Sequence, residues 1–142
     1  MYCDASALAK LYLPEPHSEE LNRTVAGRQD LLAADLGVTE IVSSIARCWR
    51  EGATSLERAR KLQRTILADL DAGYFQRIEL TPGTHRQAER LLLSLPTVGL
   101  RAADALHLAL AVEAGAASIL TFDRRLAEAA RGVGISAAPE LE

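Results

Sequence analysis

Four carboxylates in this chain stand where chemistry, and not solubility alone, is at stake: Asp4, Glu40, Asp104 and Asp123. Asp4 directly follows the short apolar opening Met1–Cys3, and Asp123 follows the apolar run that ends at Thr121. Each sits where a strand hands over to a helix. A carboxylate there caps the helix that follows, or it lines a crevice at the carboxyl edge of a sheet. Both readings stand for both acids. Glu40 falls in the second turn of a long helix among Val38, Ile41 and Val42, where a glutamate is ordinarily a solvated neighbour of an apolar stripe. Asp104 differs, because Leu100, Ala102, Ala103, Ala105, Leu106 and Leu108 surround it. A carboxylate on a buried helix is penalised unless it is paired, hydrogen-bonded or bound to a cation. Its structural partners are Arg101 and His107, one turn away on the same face. In a helix beginning near Arg101 it lies too deep for a simple cap, so a functional role is the preferred reading.

Should these four acids converge, they repel one another and raise each other's pKa. Hard divalent cations remove that conflict. Magnesium favours carboxylate oxygen and works on phosphate esters. Two such ions would activate a water and stabilise the leaving oxygen of an in-line displacement. A zinc site is not expected: the three histidines, at positions 17, 85 and 107, have no zinc spacing.

The acids need a scaffold, and the composition suggests which. Alanine and leucine supply 48 of the 142 residues, and 49% of the chain is hydrophobic, against 4% aromatic. That implies one helix-rich domain over residues 1–142, with β-branched residues left for a few short strands. Punctuation by Pro and Gly gives the order. Short strands are expected at Met1–Cys3, Leu31–Ala34, Tyr74–Leu80, Ala117–Thr121 and Gly134–Ala137. Helices are expected from Ser6 to Leu13, Ser18 to about Arg28, Asp35 to about Glu51, a Thr54–Glu57 capping box to about Ala72, Thr81–Pro82 to about Leu95, Arg101 to Ala114, and Asp123 to Arg131. Strands alternating with helices predict an α/β sandwich on a mainly parallel sheet of four to five strands. Its ligands should sit at the carboxyl ends of the strands, where Asp4, Thr121 and Asp123 fall. Two cysteines form no disulfide framework, so a reducing cytoplasm is the default. No apolar run approaches ~18 residues and no charged-then-apolar leader opens the chain, so neither a membrane span nor a signal peptide is expected.

At these residues the chain resembles the PIN-domain proteins, specifically the VapC toxins of type II toxin–antitoxin pairs. The matching segments are Asp4-Ala5-Ser6-Ala7-Leu8-Ala9-Lys10-Leu11-Tyr12, Glu15-Pro16-His17-Ser18-Glu19 and Thr39-Glu40, followed by Ala103-Asp104-Ala105-Leu106-His107-Leu108-Ala109 and Leu120-Thr121-Phe122-Asp123-Arg124-Arg125-Leu126. Each motif alone is weak; their order and spacing from residue 4 to residue 126 are specific. The resemblance implies a three-layer α/β/α sandwich and a magnesium- or manganese-dependent endoribonuclease, whose acidic cluster maps onto Asp4, Glu40, Asp104 and Asp123. Auxiliary hydroxyls map onto Ser6 and Thr121, although Ser6 serves equally as a helix cap and Thr121 as an ordinary strand-end hydroxyl. It also implies products with 5′-phosphate and 3′-hydroxyl ends, a VapB antitoxin that holds the enzyme inactive, and a homodimer. One departure is that three residues make a very short first strand for a central position; a late start or a trimmed strand explains it equally.

The net charge of −3 argues against a simple basic nucleic-acid binder. Residues 47–64, however, hold six bases and two acids, a local +4. Arg47 stands seven residues after Glu40 on the same helical face. Arg47, Arg58, Arg60 and Lys61 are therefore candidate RNA-backbone contacts, against the alternative of a solvated, salt-bridged hairpin. Trp49, Tyr74 and Phe75 are expected in the core or an interface, His107 as a neutral core histidine bonded to a backbone carbonyl, and Cys3 and Cys48 as small buried hydrophobes. Other readings are weaker. A phosphatase with a strand-end nucleophile wants a second aspartate where Ser6 stands. A nucleotide-binding fold wants a glycine-rich phosphate loop that is missing. A housekeeping ribonuclease of the same family, or a non-catalytic module whose acids are only caps, remains.

Overall fold

Short buried strands flanked by amphipathic helices put the carboxyl edge of a sheet and several helix N-termini in one place. The computed structural model describes residues 1–139; the last three positions of the expected 1–142 domain lie outside the described residues. The elements are β1 (Tyr2–Cys3), α1 (Ala5–Tyr12), α2 (Ser18–Val25), β2 (Leu32–Ala34), α3 (Asp35–Arg50), α4 (Leu56–Asp71), β3 (Gln76–Ile78), α5 (Pro82–Ser94), α6 (Ala102–Glu113), β4 (Ser118–Leu120), α7 (Arg124–Gly132) and β5 (Ser136–Ala138). The strand order is β3-β2-β1-β4-β5, and every pairing is parallel. The expected sheet is therefore present at the upper end of the expected strand count and wholly parallel among the described residues.

Both faces of the sheet are covered, as a parallel sheet requires. Side chains alternate across it, so Tyr2 and Cys3 enter different cores. Tyr2 packs with Ile119, Leu108, Leu110 and Leu126 beneath α5, α6 and α7. Cys3 packs with Leu8, Ile41, Ile45, Ile66 and Leu120 beneath α1, α3 and α4. This is the three-layer sandwich. The helix α6 is apolar nearly all round because it lies within a core, with Ala105, Leu108, Ala109, Leu110 and Ala111 fully buried.

Register then builds the site. Cys3 pairs with Leu120, so the next residues, Asp4 and Thr121, leave the sheet side by side. The Asp4 N–H donates to the Leu120 carbonyl at 3.2 Å and prolongs the ladder past the strand.

Several boundaries differ from the expected ones. The helix α2 ends at Val25 and not near Arg28, because Gly27, at φ +74°, turns the chain. Ser18 does not cap it; His17 holds the capping position at φ 72°, and the Ser18 hydroxyl closes the preceding turn by accepting from the Glu15 N–H and donating to the Leu13 carbonyl. Ser55, not Thr54, caps α4, accepting from the Arg58 N–H at 3.2 Å. Asp35 is the first residue of α3 and pairs with Arg77 across the sheet edge. The Thr81–Pro82 start of α5 is as expected. Tyr74–Leu80 shrinks to Gln76–Ile78, a sheet-edge strand with one paired neighbour.

Candidate active site

Asp4 caps α1, yet its environment exceeds what a cap needs. Its Oδ1 accepts from the Ala7 N–H at 2.9 Å, and its Oδ2 accepts from the Thr121 hydroxyl at 2.6 Å. The Ser6 hydroxyl lies 2.8 and 2.9 Å from the two oxygens and donates to the carboxylate. Both hydroxyls also accept. Ser6 takes the Phe122 N–H at 2.8 Å, and Thr121 takes the Asp123 N–H at 3.0 Å. Ser6 and Thr121 thus tie Asp4 to the backbone that follows β4, which gives each hydroxyl a structural task at the site. Asp4 is 3% exposed. Burial pushes its carboxyl above the ordinary range, against the lowering influence of the Thr121 and Ala7 hydrogen bonds, His107 and Ser6.

Asp123 caps α7, accepting at Oδ1 from the Arg125 and Leu126 N–H groups at 2.8 and 3.1 Å. The expectation that Asp104 lies too deep to serve a helix end is corrected here. The helix begins at Ala102, one residue later than expected, and Asp104 Oδ2 accepts the Arg101 N–H at 3.2 Å. Arg101 is thus a partner through its backbone. Asp104 is half-buried; burial raises its carboxyl, the Arg101 N–H opposes, and the neighbouring Asp123 charge raises it further. Asp4, Thr121 and Asp123 are thus joined by hydrogen bonds at the carboxyl ends of β1 and β4, and the Asp123 charge bears on Asp104 at the start of α6.

Glu40 joins it through a residue given no such role above. His107 does not bond a backbone carbonyl. Its Nε2 lies 2.5 Å from Glu40 Oε2, and its Nδ1 lies 2.7 Å from the Tyr2 hydroxyl. Sequence signals for this link exist: Tyr2 shares a sheet face with Asp4, and His107 shares a helical face with Asp104. Of the other single residues, Phe75 and Cys3 are buried, Cys48 is half-buried, and Trp49 and Tyr74 are exposed. Arg47, Arg58, Arg60 and Lys61 are exposed and form no ion pair among the described residues. The α3–α4 hairpin carries them away from the strand ends: Arg47 stands about 10 Å beyond Glu40 along α3, at 1.5 Å per residue, and the others lie on the first turns of α4.

Among the described residues, no three His, Cys, Asp or Glu side chains are already grouped as a metal-holding cluster. The donor set nevertheless suits a hard cation. It is all oxygen, and the Asp104–Asp123 repulsion is the kind a divalent ion relieves. Magnesium in particular keeps several waters and needs only one or two carboxylates.

Known proteins share this arrangement of elements. The family model described as PIN domain matches residues 1–132. Ribonuclease VapC3 of Pyrobaculum aerophilum is 30% identical over 125 residues, spanning 88% of this chain and 90% of that protein. The solved structure of Mycobacterium tuberculosis VapC20, a sarcin-ricin loop cleaving toxin, superposes with a TM-score of 0.71 at 17% identity, over 90% of this chain and 93% of that one. VapBC2 from Rickettsia felis, solved bound to a DNA fragment from their promoter, gives 0.68 at 11% identity, over 96% and 95%. At such identities the two structures speak to the fold alone.

Proposed function

The chain belongs to the PIN-domain family and has VapC ribonucleases among its relatives, and from that premise we propose that it is a magnesium- or manganese-dependent endoribonuclease, the toxin of a VapBC-type toxin–antitoxin pair. The observation that carries this reading is the buried Asp4, braced by two hydroxyls and tied through Thr121 to Asp123, with Asp104 raised by burial and further by the Asp123 charge. Asp4, Glu40, Asp104 and Asp123 together hold one or two cations in this reading. Magnesium or manganese, when bound, supplies the charge that activates a water and steadies the leaving oxygen of the phosphodiester. Ser6 and Thr121 orient the Asp4 oxygens and favour their ionised form by donating to them. Hydrolysis in this sense leaves 5′-phosphate and 3′-hydroxyl ends.

A non-catalytic reading draws on the same geometry, since Asp4, Asp104 and Asp123 each satisfy helix N-terminal N–H groups. Capping alone does not explain the charge. Ser or Asn caps as well, without the cost of burying a carboxylate. The partners in the proposal are an RNA substrate, a VapB-type antitoxin and a second copy of this chain, in the cytoplasm. No helix among the described residues is long and apolar enough to cross a membrane.

Asp4→Asn and Asp104→Asn are expected to abolish cleavage of total RNA in magnesium while the circular dichroism spectrum is retained. Cleavage at the parent rate by either variant, or cleavage that persists in excess chelator, overturns the proposal.

A further inference from the structure

A buried hydrogen-bond chain links the central strand to one acid of the crevice. Tyr2 is fully buried, and its hydroxyl lies 2.7 Å from His107 Nδ1. The two rings meet edge to face, 5.8 Å apart at 62°, so the imidazole is held in plane as well as at its end. The His107 side chain is 3% exposed, and its Nε2 reaches Glu40 Oε2. Glu40 belongs to α3, whose apolar side packs in the core beneath α1 and α4, whereas His107 belongs to α6 in the opposite layer. The contact therefore crosses from one helical layer to the other. Gly37 lies beside the contact: a Cβ there would press on Leu8 Cδ1 at 3.0 Å and meet His107 Cε1 in ordinary van der Waals contact at 3.7 Å.

The direction of the chain follows from counting protons. An ionised Glu40 can only accept, so Nε2 carries the ring proton and donates. In the neutral ring Nδ1 is then a lone pair, and it accepts the hydroxyl proton of Tyr2. The reverse order would set the Nε2 lone pair against a carboxylate oxygen. Tyr2 thus selects, for the neutral imidazole, the tautomer that grips Glu40; an imidazolium would grip Glu40 through the same Nε2 proton.

We propose that His107, oriented by Tyr2, is a positioning residue that holds the Glu40 carboxylate in the acidic crevice for the divalent cation; the inference rests on the reading of Glu40 as one of the cation-holding acids. Ligands that are free to rotate bind ions less well, and loss of an outer partner typically lowers metal affinity about 10–100-fold.

The test compares the parent chain with Tyr2→Phe, His107→Leu, His107→Gln and Glu40→Gln, each checked for folding by thermal melting. Mn2+ affinity is read by electron paramagnetic resonance of the free ion, and kcat and KM are read on a short RNA. His107→Leu is expected to weaken Mn2+ binding about 10–100-fold. It should also lower kcat with KM for RNA unchanged. His107→Gln, which keeps a side-chain N–H for Glu40, should recover most of both losses. Tyr2→Phe removes one hydroxyl and should weaken Mn2+ binding several-fold; it decides the matter if His107→Leu does not fold. Parent-like Mn2+ affinity and kcat in folded His107→Leu, or in Tyr2→Phe where that is the deciding variant, overturn the inference and leave the cation reading intact. A Glu40→Gln variant that binds and cleaves as the parent does removes Glu40 from the cation-holding acids and overturns the inference alone, whereas absence of saturable Mn2+ binding by the parent overturns the cation reading itself and the inference with it.

Discussion

Asp4 is held by a helix N-terminus and two hydroxyls, and still its charge is disfavoured by burial. The sign of the consequence is definite. A carboxyl whose pKa is raised on folding stabilises the fold only below its unfolded value, about 3.9, and that contribution is lost as pH rises through the folded value. At neutral pH the ionised Asp4 is a burden on the metal-free protein. Asp4→Asn should therefore raise the melting temperature in chelator at pH 7, and the gain should shrink towards pH 4. A lower melting temperature for Asp4→Asn at pH 7 would contradict this account. The same residues show how far a sequence carries at this scale. Asp4 and Asp123 were readable as strand-end acids, and the choice between cap and ligand was not, because the structure makes them caps in a setting that also suits a ligand. Asp104 was judged too deep for a cap, yet with the helix starting one residue later than expected it accepts the Arg101 N–H. His107 was assigned the wrong partner because its true ones, Tyr2 and Glu40, lie 105 and 67 positions away in the chain.

Elements were more legible than their ends. Alternating apolar runs and helix stops give the order of strands and helices, since these depend on local periodicity and on Gly and Pro. Caps shifted by one residue: from Thr54 to Ser55, because adjacent hydroxyls can accept the same N–H group, and from Ser18 to His17, whose left-handed backbone starts α2 without a side-chain cap bond. The shortest element has the largest consequence. β1 has two residues, lies between β2 and β4, and buries Tyr2 on one face and Cys3 on the other. Burial, and next the Asp4 charge, push the Cys3 thiol up to about 12 and raise the Tyr2 phenol further. Tyr12, bonded to Asp69, is raised as well. Groups raised in this way stabilise fully below their unfolded values, about 8.5 for the thiol and 10 for the phenols, and that stabilisation is lost as pH climbs towards the folded values. The unfolding free energy read from urea titrations should therefore be level from pH 7 to 8 and fall steadily above pH 9, by at most about 1.4 kcal/mol per pH unit for each group, and the urea midpoint should fall with it. A midpoint that stays flat to pH 10.5 would remove β1 as the alkaline weak point.

At the scale of the whole molecule the question is how a chain of net charge −3 would hold the proposed RNA substrate. The α/β sandwich on a parallel sheet was readable from alternation, whereas the spatial separation of charge was not, since it depends on where the α3–α4 hairpin projects. The core claims Ile66 and Leu70 at the far end of α4 and leaves Arg58, Arg60, Lys61 and Arg64 exposed on its first turns, beside the end of α3 that carries Arg47 and Arg50. Residues 47–64 thus carry +4, and the rest of the chain −7. An acidic crevice repels phosphate unless cations fill it, so affinity should depend both on the divalent ion and on this basic end. Each phosphate neutralised on a single strand contributes about −0.7 to the slope of log affinity against log salt. Replacing Arg58, Arg60 and Lys61 by Gln in an Asp104→Asn background, which is expected to bind without cutting, should therefore flatten that slope by about 2 if all three bases touch the backbone. Fluorescence anisotropy of a labelled RNA between 50 and 200 mM salt, at fixed magnesium, reads the slope directly. A slope and affinity unchanged by the triple substitution would make the hairpin a solvated surface, and would shift the search for phosphate contacts to Arg101 and Arg125, whose charges already bear on Asp104.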